Sequence, residues 1–464
     1  MEGRMRAVWP QKPARSDRTM ETYSIPVGED RYLVYRPLRP LAFVTNGRLV
    51  NRLVKSLDIP HLRSEEGDDD VADFLEEVGM LAPDRMPPAE EDIFRLPTTG
   101  VLCLTTACNL RCTYCFAEGG EKAAEHLSRS AGSRVIDQVH RNARTLGEDS
   151  FAISFHGGGE PTVAWERLTE FIGAARSKDL ATRISLTSNG YWSDAQRHWI
   201  LGHVDEVSLS FDGPAEIQNA QRPTASGRPS FSTVFKTIEA LDRSGKKYGI
   251  RMTVTDASVS RLPETLHWLC TETACAVFQV EPAFAAGRAL RNSLEVHEPS
   301  VFVRQFLNAY DVALQYGRHL YYSGARPWVI TTRFCEASRR ALIVRPDGTL
   351  TRCYEISDRL HPLNRLFEVG RIRDDLVELS PDAGLELERR LGKRRRACRD
   401  CFNFWHCAGD CPAKSMGSTE GEHDGSDDRC DMNREITKGL LLRYVAHFGG
   451  VWRGQLPSGA IGAG

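Results

Sequence analysis

The 464-residue chain has no apolar run approaching the ~20 residues that a membrane-spanning helix needs. This leaves no expected membrane span. Its formal net charge is only -2, so the whole molecule exerts no strong pull on nucleic acid or on an anionic bilayer. The first residues are charged and lack an apolar core, which excludes a secretory signal there and points to a cytoplasmic protein. No internal repeat of solenoid type is present. What the chain has in excess is cysteine, 13 in all. In a reducing compartment a disulfide framework is not expected, so clustered cysteines are read as metal ligands or reactive thiols. Ten of the 13 stand in tight or regularly spaced groups. Cys103, Cys270 and Cys275 stand apart and are expected to be buried small hydrophobes.

Residues 1–21 are expected to be disordered. Residues 22–95 predict a small α+β region: a hairpin over 22–38, a helix near Gly47–Leu57 and another near Asp69–Leu81, capped by the acidic stretch Glu65–Asp70. A proline-rich linker, Pro83–Pro97, follows. From Thr98 to about 300, strands and amphipathic helices alternate. Strands are expected at Gly100–Thr105, Ser150–His156, Arg183–Ser188, Glu206–Phe211, Gly249–Thr255 and Ala276–Glu281, with helices such as Ser130–Thr145 and Trp165–Ala175 between them. This α/β pattern predicts a parallel sheet curled into a full or partial barrel, with chemistry at the C-terminal strand ends. A connecting helix is expected within 301–334, a loop-rich cysteine domain over 335–435, and a helix over Asn433–Phe448 followed by a flexible tail to 464.

Just after the first strand of the repeat stand Cys108, Cys112 and Cys115, spaced C-x3-C-x2-C. Three thiolates in so short a loop can hold one corner of a 4Fe-4S cluster, leaving one iron open for another ligand. Zinc, which usually takes C-x2-C pairs from two places, fits this spacing poorly, and a redox pair is the other plain reading. The second strand ends in His156, three glycines and then Glu160. Glycines let backbone approach a ligand closely, and a carboxylate can accept from an ammonium group. The next two strands end in Ser188 and Asn189, and in Ser210 and Asp212.

The cysteine loop, with Tyr114 before its last cysteine, resembles the signature loop of the radical SAM superfamily. The glycine turn resembles that family's GGEP motif. The resemblance implies a partial (β/α)6 barrel of radical SAM type and reductive cleavage of S-adenosylmethionine (SAM) to a 5′-deoxyadenosyl radical. It implies Tyr114 near the adenine, and Gly158, Gly159 and Glu160 at the SAM amino group. Ser188, Asn189 and Ser210 would hold ribose and carboxylate, and Arg222 would pair with the carboxylate two-pronged. Asp212 is a candidate general base. Relatives often carry His-Asp in the next helix; here Gln218 and Asn219 stand there, which casts doubt on acid–base chemistry borrowed from that place.

The later cysteines run Cys335, Cys353, Cys398-x2-Cys401-x5-Cys407-x3-Cys411 and Cys430. This order resembles the SPASM extension, whose two auxiliary 4Fe-4S clusters would bring the total to three. The resemblance assigns Cys398, Cys401, Cys407 and Cys430 to the distal cluster and Cys335, Cys353 and Cys411 to the nearer one. No cysteine from 336 to 343 offers a fourth ligand, leaving an open iron, a non-cysteine ligand or one from elsewhere, with Cys270 and Cys275 as outside candidates. Taken alone, Cys398-x2-Cys401 fits zinc. Lys393–Arg396 reads as a solvated basic loop, with nucleic-acid contact or a docking place for an acidic electron donor as the alternatives.

Enzymes with this extension modify peptides or proteins. The N-terminal region is similar in pattern to winged-helix leader-recognition domains, which would bind a leader peptide by strand addition at an exposed edge. The leading expectation is a maturase that crosslinks a ribosomally made precursor peptide, for example as a C–C cyclophane or a thioether, supplied with electrons by a flavodoxin or ferredoxin. A sulfatase-type maturase making formylglycine and a non-catalytic iron–sulfur electron carrier are the alternatives.

Overall fold

A computed structural model describes residues 21–57, 69–87, 96–335, 341–373, 376–380, 382, 384–415 and 428–457. The expected disorder of 1–20, the start of the acidic cap at 65–68, linker residues 88–95 and tail residues 458–464 lie outside the described residues.

The expected hairpin is β1 (Tyr23–Gly28) and β2 (Arg31–Arg36), turning at Glu29 and Asp30. A third strand, β3 (Leu41–Thr45), extends it, followed by helices Gly47–Leu57 and Asp69–Glu77. The second helix stops four residues before the expected end, where Met80 turns inward to full burial.

The six expected strands of the repeat are present, each shifted by at most three residues at either end: β4 (Thr99–Leu102), β5 (Ser150–Phe155), β6 (Ala181–Ser188), β7 (Glu206–Ser210), β8 (Tyr248–Val254) and β9 (Val277–Pro282). All pair in parallel, in chain order, with helices between them. A seventh parallel strand, β10 (His319–Tyr321), follows helix Pro299–Gln315 and pairs with β9. Phe155, Phe171, Ile184, Leu209 and Phe278 are fully or almost fully buried in one continuous core between sheet and helices. Each such side chain contributes about 1.5–3 kcal/mol. Packing is close enough that a Cβ on Gly132 would sit 2.2 Å from the Phe171 ring.

The region beyond 335 is less loop-like than expected. Strand β11 (Ala341–Val344) pairs in parallel with β4, and β12 (Thr349–Thr351), β13 (Glu368–Arg373) and β14 (Leu376–Leu379) continue antiparallel. One sheet of 11 strands thus runs β10-β9-β8-β7-β6-β5-β4-β11-β12-β13-β14. β4 pairs with β5 and β11 rather than with β10, so the sheet is open, as a partial barrel requires.

Two expectations are corrected. The basic run 393–396 is the last turn of a helix, Leu385–Ala397, where cations suit the carbonyl end of the dipole. Within it Arg394 is buried against the backbone oxygen of Gly409. The start of the tail is anchored: Val451–Trp452 forms β15, antiparallel to β3, and Trp452 is buried beside Tyr35 and Tyr444. The last helix starts earlier than expected, Asp428–His447, and carries Cys430.

Candidate functional site

The C-terminal ends of β4–β9 open into one cavity. Among its lining residues are Cys108, Cys112, Cys115, Tyr114, Gly158, Gly159, Glu160, Ser188, Asn189, Ser210 and Arg222. Every expected ligand contact is in this lining; Asp212, the candidate general base, is not.

The cysteine loop is held from several sides. The N–H groups of Arg111 and Thr113 donate to Pro223 O (2.7 Å) and Gln221 O (2.9 Å), and Gly159 and Glu160 donate to Thr105 O (2.8 Å) and Ala107 O (2.9 Å). The glycine turn therefore lies directly against the loop. A Cβ on Gly159 would sit 1.9 Å from Ala107 O, which only glycine avoids, and Gly157 and Gly158 hold positive φ of 98° and 72°. Arg288, which carries no motif and escaped sequence reasoning, is a further clamp. Its Nε donates to Cys112 O (2.8 Å), its N–H to Cys115 O (3.0 Å), and Nη1 pairs with Glu121 (2.7 Å).

Burial pushes the Cys108 thiol up to about 12 and the Cys112 thiol up to about 11, the latter opposed by Arg222. Cys112 and Cys115 also act on Cys108 as charged neighbours. Thiols so placed need a strong Lewis acid to become thiolates, and an iron–sulfur cluster is one.

Glu160 is buried and tied to the next strand end. Ser188 Oγ (2.6 Å) and Thr162 Oγ1 (2.8 Å) donate to Oε1, and the Asn189 N–H donates to Oε2 (2.8 Å). Burial drives its carboxyl upward against these hydrogen bonds. Asn189 Nδ2 donates to Asn109 (2.7 Å) and lies 3.8 Å from Cys108 Sγ.

The candidate general base is corrected. Asp212 is 2 % exposed and its two oxygens accept from five donors. Arg222 Nε (2.9 Å), Gln221 Nε2 (2.8 Å) and Tyr114 OH (2.5 Å) reach Oδ2; Arg222 Nη2 (3.1 Å) and the Thr253 N–H (3.0 Å) reach Oδ1. No acceptor position is left for a substrate proton. Arg222 in turn directs its two-pronged face to Asp212, so the two-pronged grip on a ligand carboxylate is already taken. Nη1 lies 3.9 Å from Cys112 Sγ and the guanidinium 5.3 Å from the Tyr114 ring centre. Gln218 and Asn219 are structural. Gln218 Oε1 accepts the Asp212 N–H (3.0 Å), and Asn219 Oδ1 accepts those of Ser230 and Phe231.

Further charged residues line the same cavity, Arg251, Glu281, Glu355 and Lys414, together with Phe284 and His156. Burial holds His156 neutral, its imidazole lowered to about 3, against Tyr354 at 4.1 Å.

The later cysteines fall in two neighbourhoods. Burial raises the Cys407 thiol, and Cys401 and Cys398 add to it as charged neighbours. Arg434 feels both Cys401 and Cys430, and Asn433 Nδ2 donates to Cys407 Sγ at 3.4 Å. Cys353 and Cys411 neighbour each other and Cys335. Among the described residues, no three His, Cys, Asp or Glu side chains converge on a point fit for a single ion. Cys103, Cys270 and Cys275 are buried as expected.

Sequence comparison agrees with this geometry. The profile of the radical SAM superfamily matches residues 102–269. The chain carries a radical SAM domain, a class that uses a 4Fe-4S cluster and SAM. It is 23% identical over 323 residues to a serine-type anaerobic sulfatase-maturating enzyme of Klebsiella aerogenes, covering 66% of this chain and 77% of that one. It is 25% identical over 304 residues to the sporulation killing factor maturation protein SkfB of Bacillus subtilis, covering 62% and 66%. Among solved structures, the fold resembles anSMEcpe with bound AdoMet (TM-score 0.59, 19% identity, 74% of this chain and 97% of that one). It also resembles Streptococcus suis SuiB bound to S-adenosylmethionine (TM-score 0.52, 14% identity, 81% and 85%). At these identities the structural likeness speaks for the fold alone. Among the described residues no helix is long and apolar enough to cross a membrane.

Proposed function

We propose that the chain is a radical SAM maturase of SPASM type that oxidatively crosslinks a ribosomally made precursor peptide. The observation that carries this reading is the single cavity shared by the three-thiol loop, the Gly158–Glu160 turn and residues of the C-terminal cysteine region. Cys108, Cys112 and Cys115 would hold a 4Fe-4S cluster, which when bound supplies the electron that cleaves SAM to a hydrogen-abstracting radical. Glu160, fixed by Ser188 and the Asn189 N–H, presents a carboxylate toward a ligand ammonium. Asp212 sets the position of Tyr114 and Arg222 rather than moving a proton. Cys398, Cys401, Cys407 and Cys430, and Cys335, Cys353 and Cys411, would hold two auxiliary clusters that take up the electron lost by the oxidised substrate. A flavodoxin or ferredoxin is the proposed electron source.

The N-terminal sheet supports a peptide substrate. Its order is β1-β2-β3-β15, so the β3 side is closed by the chain's own β15. Among the described residues β1 pairs with β2 alone, and an extended leader would add along β1. SkfB, by its name a maturation protein of a killing factor, is in keeping with such a substrate.

The sulfatase-maturating relative favours a second reading, oxidation of a single side chain to an aldehyde. The test is anaerobic: iron and sulfide content, then 5′-deoxyadenosine after addition of SAM and dithionite. About twelve irons per chain and 5′-deoxyadenosine are expected; a fully loaded protein that makes none with any peptide would sink the enzyme reading in favour of electron carriage. An aldehyde-reactive hydrazide applied to the peptide product separates a single-residue oxidation, which it labels, from a crosslink, which it does not.

A further inference from the structure

The nearer auxiliary set has only three cysteines, Cys335, Cys353 and Cys411, while a 4Fe-4S cluster usually takes four ligands. Glu355 stands beside this set. It lies two residues beyond Cys353, and its backbone N–H is hydrogen-bonded to the Cys353 thiol. It is the foremost charged neighbour of both Cys353 and Cys411, each of which also neighbours Cys335. Its side chain is 11% exposed, with Oε1 3.8 Å from Lys414 Nζ. Oε2 is buried and accepts no hydrogen bond. A buried carboxylate oxygen without a partner is unfavourable unless something outside the protein satisfies it.

Of the remaining thiols, Cys103 lies in the small core cluster against which Cys335 and Tyr354 pack, but it is already engaged. Cys103 donates to His156 O at 3.0 Å, and its charged neighbours are Arg345 and Asp347. Cys270 is influenced by Arg318, and Cys275 by Asp242 and Arg318.

We propose that Glu355 supplies the fourth donor, through Oε2, to the iron–sulfur cluster held by Cys335, Cys353 and Cys411. The assignment rests on the auxiliary-cluster reading above. A carboxylate is a harder and less electron-donating ligand than a thiolate, so this cluster would be easier to reduce than one with four thiolates. Because Glu355 also lines the SAM cavity, the ligated iron would face the substrate side.

The experiment uses the full chain with Cys108, Cys112 and Cys115 all changed to Ala, so that only auxiliary clusters can form. After anaerobic reconstitution this parent should hold about eight irons. Glu355→Gln and Glu355→Ala in that background are expected to lose about one iron on mild ferricyanide oxidation and to show a three-iron EPR signal. The unchanged EPR signal of the distal cluster reports that the domain stays folded. Glu355→Cys should retain all the iron and shift the nearer cluster's reduction potential downward. Cys103→Ala should match the parent. Glu355 variants that keep the parent's iron and EPR line shape overturn the proposal, as does loss of iron in Cys103→Ala instead. A parent with no iron at all would remove the auxiliary clusters themselves, a failure of the broader reading that the Glu355 variants would not mimic.

Discussion

Arg222 and Asp212 form an ion pair, Nε to Oδ2 at 2.9 Å, with side chains 7% and 0% exposed. Removing one partner of such a pair leaves an uncompensated buried charge, which costs about 3–5 kcal/mol. Asp212→Ala is therefore expected to lower stability by that order in denaturant melts. Asp212→Asn keeps the shape and should lose less. Both should reduce SAM cleavage itself, because Tyr114 and Arg222 lose their anchor. If Asp212→Asn instead cleaves SAM at the normal rate and only fails to form product, a proton-transfer role returns.

Gly159→Ala forces a Cβ to within 1.9 Å of a backbone oxygen in the cysteine loop. Backbone on both sides must move, and the expected result is at least a tenfold loss of SAM affinity by calorimetry on the reconstituted protein. Gly173→Ala is the matched control. It lies in helix Trp165–Arg176 with nothing within 4 Å of the added carbon. It should leave SAM binding intact and stabilise the helix by up to about 1 kcal/mol.

His319, on β10, is 3% exposed, stacks on Tyr321 and meets the edge of Trp328. Burial lowers its imidazole to about 4 from 6.5. Between those values the unfolded chain binds the extra proton and the folded one does not. Stability from this group is thus complete above about pH 6.5 and falls as pH drops toward 4, by on the order of 3 kcal/mol. His319→Phe should flatten that part of the stability-against-pH curve, measured by urea melts from pH 7 to pH 4. An unchanged slope would show that the acid sensitivity lies elsewhere.

Trp452→Ala empties a buried site between Tyr35 and Tyr444 and should cost about 3–5 kcal/mol. The loss should appear first in the N-terminal sheet. Limited proteolysis is expected to cut within residues 21–57 sooner than in the parent, while the sheet from β4 to β9 stays protected. Simultaneous loss of both regions would argue that they unfold as one unit.

Much of the site could be read from residue order, because its chemistry is local. Cys108, Cys112, Cys115 and the Gly158–Glu160 turn are contiguous motifs, and the six strands that carry them alternate cleanly with helices. What escaped depends on partners distant in sequence. The two-residue β15 has no pattern of its own and exists because β3 offers an edge. Strands β10 and β11 are three and four residues long and are likewise fixed by their neighbours β9 and β4. Asp212 is an ionisable carboxylate at a strand end, and residue order says nothing of what its oxygens meet. Only the fold reveals that Tyr114, 98 residues earlier, and Thr253, 41 residues later, fill its oxygens. Arg288 and Glu355 carry no motif and acquire meaning only by where they stand.

The pairing of β11 with β4 bears on how the chain is made. Thr99 faces Ala341 across that ladder, a separation of 242 residues (341 − 99). During synthesis β4 leaves the ribosome early, yet the strand on its outer side arrives only after β5 through β10. Until then the segment that leads into the cysteine loop borders an open sheet edge, the sort of surface that invites pairing with another chain. Such a late long-range closure is intrinsically slow. Truncated forms ending before 341 would keep that edge exposed, making insolubility their natural failure and the full chain the sounder starting point for preparing the protein.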